Sequence, residues 1–168
     1  MSWSTKKMEG QEDKSKDIRT VFLILTGRSA HILTVIITGH LLVEYCLDQI
    51  IIAKVKDKKT ILEKKFSEKL ETLYPTWLPL HIYKNIKLLN NARNYAAHNL
   101  GVIDYKPIIY TPTRKEKTLI IPKRKNKEKI YFKELINSIL FDLANYSFDS
   151  LCISSEPDWN IIFKTKKV

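Results

Sequence analysis

The sequence predicts a mainly α-helical protein: an antiparallel bundle of four to five helices, with a short β-hairpin or extended arm after the fourth. Three observations carry that prediction. Apolar residues recur at three- and four-residue spacing through most of the chain, as on the buried face of a helix. One stretch, Ile32 to Ile52, is apolar on most sides, the mark of a central helix covered all round. Only after Gly101 does the pattern change, to short runs of the β-branched and aromatic residues that suit a strand.

A chain of 168 residues fits one domain. With 44% hydrophobic and 28% charged residues it has enough apolar material to offset the entropy of ordering. The expected organisation is a flexible polar tail over 1–16, a helical domain over 17–150 with a basic arm at about 105–132, and a C-terminal tail over 151–168 packing on the domain. In that tail Trp159, Ile161, Ile162 and Phe163 supply the apolar contacts.

The elements follow in order. A short helix is expected from Asp17 to Leu25, with the acid near the positive end of the helix dipole, ending at Thr26-Gly27-Arg28. Ser29 is placed to cap the next, which runs to about Val55. On that helix His40, Glu44 and Asp48 stand four apart and share one polar stripe, either a solvated edge or a face turned toward a site. A polar connection, Lys54 to Lys59, leads to a third helix with Leu62, Phe66, Leu70 and Leu73 on one face, ending before Pro75. Thr76-Trp77-Leu78, between two prolines, read as a loop. A fourth helix carries Ile82, Ile86, Leu89, Ala92 and Ala96 and stops near Gly101. The arm comprises Ile108-Ile109-Tyr110 and Thr118-Leu119-Ile120-Ile121. A last helix runs from about Lys133 to Tyr146, with Leu135, Ile136, Ile139, Leu140 and Leu143 inward.

A formal net charge of +11 creates a field that attracts polyanions, so RNA, DNA or acidic lipid is a candidate partner, with plain solubility as the competing explanation. Within the arm the basic residues Arg114, Lys123, Arg124, Lys125 and Lys127 are the candidate RNA contacts; duplex DNA is the weaker alternative for the same arm. Cys46 and Cys152 offer neither a disulfide framework nor a zinc pattern. The run Val21 to Leu25 is short for a signal-peptide core, and His40, Glu44, Asp48 and Gln49 interrupt the longer apolar stretch, so a cytoplasmic protein without membrane contact is expected. No glycine-rich phosphate loop, His-Glu-x-x-His box or Gly-x-Ser-x-Gly elbow occurs; no metal or other cofactor is expected.

One motif remains. Near the end of the fourth helix stand Arg93-Asn94-Tyr95-Ala96-Ala97-His98, with small Ala96 and Ala97 allowing close approach of another backbone. An arginine followed five positions later by histidine is weak evidence alone, and a structural arginine with a helix-ending histidine is the plain reading. In its context, Asn90 to Asn99 resembles the Arg-polar-x-x-x-His signature of HEPN domains, the helical nucleotide-binding superfamily of prokaryotes and higher eukaryotes. Gly39 to Glu44 and Phe66 to Leu70 also resemble the stand-alone group that includes mannitol-repressor-like proteins. The resemblance spans about Ile32 to Gly101.

The resemblance implies a homodimer in which two such helices meet, placing both copies of Arg93 and His98 in one composite cleft. In active members that cleft cuts RNA without metal, with the ribose 2′-hydroxyl as nucleophile. The residue chemistry agrees with that role. His98 can take the hydroxyl proton and then return one to the leaving oxygen. Arg93 can fork two N–H groups onto phosphate oxygens. Asn94 can orient His98 or bond the phosphate, and Glu44 is the candidate to hold His98 or Arg93 from the facing helix. In HEPN toxins modified by a partner nucleotidyltransferase a tyrosine stands two residues after the histidine. This chain has Leu100 there, so regulation by that route is not expected.

The function expected is a metal-independent HEPN-type endoribonuclease in a toxin–antitoxin or phage-defence role, with an antitoxin protein as a candidate partner. The alternative is a non-catalytic, dimeric HEPN-like regulator or RNA- or protein-binding module of the mannitol-repressor-like kind.

Overall fold

The fold is known from a computed structural model, which describes residues 18–27, 31–99, 107–113, 116–118 and 126–146. Among them the order is α1 (Ile18–Leu25), α2 (Ile32–Lys54), α3 (Lys58–Leu62), α4 (Phe66–Leu73), α5 (Leu80–His98), β1 (Ile108–Tyr110), β2 (Glu116–Thr118) and α6 (Lys127–Asn145). The three long helices α2, α5 and α6 pack on one another as a bundle. Helix α1 lies against α2 and α6, and α3 and α4 lie against α2.

Helix α2 is central because its apolar residues meet helices on several sides: Val35, Ile36, Val43, Leu47, Ile50 and Ile51 are all fully buried. By length and composition it is the one helix among the described residues able to cross a membrane, yet 50% of that span is buried inside the protein. The covering is not complete. Ile37 (50% exposed) and Leu41 (59% exposed) stay open to solvent, correcting the expectation of a helix enclosed all round. Against α6 the fit is closest at Gly39, where a Cβ would sit 2.8 Å from Ile136 Cγ1 and 2.9 Å from its Cγ2. Glycine at that position is what lets the two helices approach.

The single third helix expected from the periodicity is two helices. Thr60 Oγ1 donates to Asp57 Oδ1 at 2.9 Å and helps close the first turn of α3 inside what the sequence marks as a polar connection, and α4 starts afresh at Phe66. The last helix begins six residues earlier than expected, at Lys127 after Asn126 in a left-handed conformation (φ 72°). The charged residues Lys127 to Lys129 hide a periodicity that Tyr131 and Phe132, both buried, carry backward along the helix.

The two strands pair antiparallel, Ile108 opposite Thr118 and Tyr110 opposite Glu116. What fastens them to the bundle is a side chain acting as a strand neighbour. Asn85, fully buried on α5, donates from Nδ2 to the Tyr110 carbonyl at 2.9 Å, and its Oδ1 accepts from the Tyr110 amide at 2.8 Å. The Tyr131 hydroxyl adds a bond to the Ile108 carbonyl at 3.0 Å. At the end of α1, Thr26 Oγ1 donates to the Phe22 carbonyl at 2.7 Å, and Lys133 Nζ donates to the Thr26 carbonyl and, at 3.1 Å, to that of Gly27. A lysine reaching the last carbonyls of a helix satisfies groups that have no partner within it.

Arg28, Ser29, Gly101, Leu119 to Ile121, both tails and the acidic Asp17 lie outside the described residues. Helix α2 takes its cap from His31, whose Nδ1 accepts from the Leu33 amide at 3.3 Å.

Candidate active-site cleft

Helices α2 and α5 leave an open cleft of about 270 Å³ between them, lined by Leu33, Ile36, Ile37, His40, Leu41 and Glu44 from α2 and by Arg93, Ala96 and Ala97 from α5. The small side chains on α5 make the space and the polar ones on α2 and α5 furnish it. Here the polar stripe of α2 proves to face inward: His40 is 7% exposed.

His40 is held on two sides. Its Nε2 is 3.1 Å from Asn90 Oδ1 on α5, and its ring lies 4.0 Å, centroid to centroid, from Phe66 of α4. Burial keeps the imidazole below the ordinary histidine value. The Asn90 hydrogen bond and the Glu44 charge act against that lowering, and the Arg93 charge adds to it. His40 is therefore neutral at physiological pH.

Glu44 and Asp48 both turn to Lys69 of α4. The Lys69 ammonium lies 3.1 Å from Glu44 Oε1 and 2.9 Å from Asp48 Oδ1, with the lysine itself 5% exposed. Burial works against the lysine charge, but hydrogen bonds to Asp48 and Glu44 outweigh it and hold its pKa above the ordinary lysine value. For Asp48 burial wins and its carboxyl is raised, with Lys69 pulling the other way. A cation enclosed between two carboxylates is a satisfied arrangement for a buried charge.

This pairing decides the state of Arg93. Among the described residues no carboxylate lies within ion-pair distance of it, because Glu44, the acid beside it in the cleft, is committed to Lys69. The bond Arg93 does make is to a neutral group, from Nη1 to Asn94 Oδ1 at 3.0 Å. Its guanidinium is exposed at the cleft and paired with no described carboxylate.

The residues expected from the motif divide. Arg93 and Glu44 both line the cleft, but Glu44 is paired with Lys69 and holds neither Arg93 nor His98 as expected, and Asn94 accepts from Arg93 and does not orient His98. His98 does not line the protomer's cleft. At 3.6 residues per turn, Ala97 lies only about 40° round the axis from Arg93 and His98 about 140°, so the cleft wall ends at Ala97. His98 sits exposed in the last turn of α5. Lys127 is the first residue of α6 and half-buried; Arg114, Lys123, Arg124 and Lys125 lie outside the described residues. Sequence reasoning left His40 open between a solvated edge and a site-facing stripe, and gave Asn90 no role of its own in the site. The available signal was a histidine four residues before Glu44 on an otherwise apolar helix.

Among the described residues no group of three His, Cys, Asp or Glu side chains is set to hold a metal ion. Burial pushes the Cys46 thiol up to about 12, which makes it a packing residue and not a nucleophile. No protein-family model matches this chain, and no curated protein or solved structure matches it.

Proposed function

We propose that the protein is a metal-independent endoribonuclease of the HEPN type, working in the cytoplasm in a toxin–antitoxin or phage-defence role. The observation that carries this reading is the Arg93 guanidinium, exposed in a cleft beside a neutral imidazole and unopposed by any described carboxylate. A fixed cation of that kind suits the developing charge on a phosphorane, where a single well-placed donor is worth about 10²- to 10³-fold in rate. The 2′-hydroxyl attacks the neighbouring phosphorus, and the products are a 2′,3′-cyclic phosphate and a 5′-hydroxyl.

The reading includes a homodimer. Ile37 and Leu41, large, apolar and exposed on the cleft wall, favour a second copy seated there. A second copy would bring its own Arg93 and His98 to a shared groove, with His98 serving in proton transfer. The net charge of +11 favours RNA as the polyanion, and the basic residues 114–127 would grip its backbone.

The test is cleavage of single-stranded RNA in the presence of EDTA by wild type, Arg93→Ala and His98→Ala. The expected result is cutting by wild type alone; equal cutting by all three removes the proposal. One observation favours the alternative, a non-catalytic dimeric regulator or binding module: His98 lies outside the protomer's own cleft. That reading gains if wild type cuts nothing while remaining dimeric.

A further inference from the structure

We infer that His40 is a catalytic residue of this cleft, taking the 2′-hydroxyl proton from the RNA whose phosphate Arg93 holds, and that Asn90 is its positioning residue. This deepens the ribonuclease reading and rests on it.

The imidazole among the cleft's lining residues is that of His40, with Arg93 on the opposite wall. The buried ring has an N–H that must find a partner, and Asn90 reaches across from α5 to supply it, which fixes the ring relative to Arg93 on the same helix. With Asn90 Oδ1 as the acceptor, His40 Nε2 carries the hydrogen, and Nδ1 is left with the lone pair that can accept a proton. Phe66 packed on the ring restrains its rotation. An imidazole locked in one tautomer by a neighbouring amide is a built acid–base group.

Burial keeps the ring neutral, which is the form a general base needs. The charged groups facing it are Glu44 on its own helix and Arg93 on α5; on α4, Lys69 is bound to Glu44 and Asp48, and Phe66 supplies an uncharged face. The O2′–P bond forms and the P–O5′ bond breaks. The 2′-hydroxyl proton moves to His40 Nδ1, and the departing 5′-oxygen receives one from His98 of the second copy. Exchange with solvent resets both rings. Two imidazoles divide a task that a single histidine would have to perform in turn.

The experiment has two arms on the full-length chain. In the first, the imidazole resonances are followed by NMR across pH, with and without inorganic phosphate. Phosphate in the cleft should raise the His40 midpoint by about half a pH unit or more, since a nearby anion favours the charged ring. Arg93→Ala should abolish that response. In the second, single-turnover RNA cleavage in EDTA is measured for wild type, His40→Gln and Asn90→Leu, with thermal melting checked for each. His40→Gln should lose about 100-fold or more. Asn90→Leu removes a bond that raises the His40 pKa, so the acid limb of its rate profile should move to lower pH, which a purely structural role would not cause. A His40 signal blind to phosphate overturns the inference. So does wild-type cleavage matched by a folded His40→Gln, and in that case the ribonuclease reading stands. Wild type that cuts no RNA overturns both.

Discussion

Helix α2 meets its neighbours in two opposite ways. Toward α6 it is dry and close: Gly39 sits against Ile136, and the surrounding side chains are apolar and fully buried. Toward α4 and α5 it presents His40, Glu44 and Asp48, meets Asn90, Phe66 and Lys69 through them, and leaves a cleft where it faces Arg93. The first face is held by shape, the second by charges that must be neutralised in pairs. The cleft lies on the polar side.

If charges hold the second face, removing the shared cation should be the most damaging change. Lys69→Met leaves Glu44 and Asp48 side by side without a partner and should cost about 2–3 kcal/mol, less than the full penalty for a buried pair because both carboxylates keep some solvent. The loss should shrink when the pH is lowered enough to protonate the carboxylates. Urea unfolding at neutral and acid pH measures both, and a loss independent of pH would mean that Lys69 acts through packing alone.

The dry face should behave differently. Gly39→Ala improves intrinsic helix propensity by about 1 kcal/mol but drives a methyl into Ile136, where overpacking costs about 1–3 kcal/mol. The net result should be a modest loss, insensitive to pH and smaller when Gly39→Ala is made in an Ile136→Ala background, which removes the contacting Cγ atoms. Full stability in the single variant would show that α2 and α6 are less tightly fitted than their spacing implies.

His40 and His81 both have folded-state pKa values below the ordinary value of 6.5, chiefly through burial. As the pH falls through that value the unfolded chain takes up protons the folded chain refuses, so stability is present above it and declines below it. Replacing His40 with Gln should flatten part of this decline, with His81 accounting for the rest. A stability profile between pH 7 and 5 that is identical in the variant would place His40 in water. The smallest effect belongs to the exposed cluster on α4 and α5, where Lys87 donates to Glu71 at 3.3 Å and to the Tyr83 hydroxyl at 3.0 Å. Lys87→Ala should leave the melting temperature unchanged, because exposed pairs of this kind are screened.

The bundle was legible because burial writes a period into sequence: Leu135, Ile136, Ile139, Leu140 and Leu143 read directly as the inner face of α6. The arm was legible from Ile108 to Tyr110, but its attachment was not, since nothing about Asn85 announces that a side chain will stand in for a strand. The break between α3 and α4 was hidden because Leu62 and Phe66 keep helical spacing across it. At the site, the sequence points to Arg93 and Glu44 but not to the partner of Glu44: Lys69 lies on another helix, and a pairing across such distance leaves no local pattern. His40 was seen as part of a stripe whose direction only the packing of α4 and α5 determines.

The proposed function has Arg93, paired with no described carboxylate, serving cleavage through a ribose hydroxyl. Its most direct test is to offer the protein, in EDTA, an RNA oligonucleotide that it cuts and the same oligonucleotide with one 2′-deoxy residue at the cut position. The account predicts a 2′,3′-cyclic phosphate product from the first, none from the second, and none from either with Arg93→Ala. Equal cleavage of both oligonucleotides, or undiminished cleavage by Arg93→Ala, would contradict it.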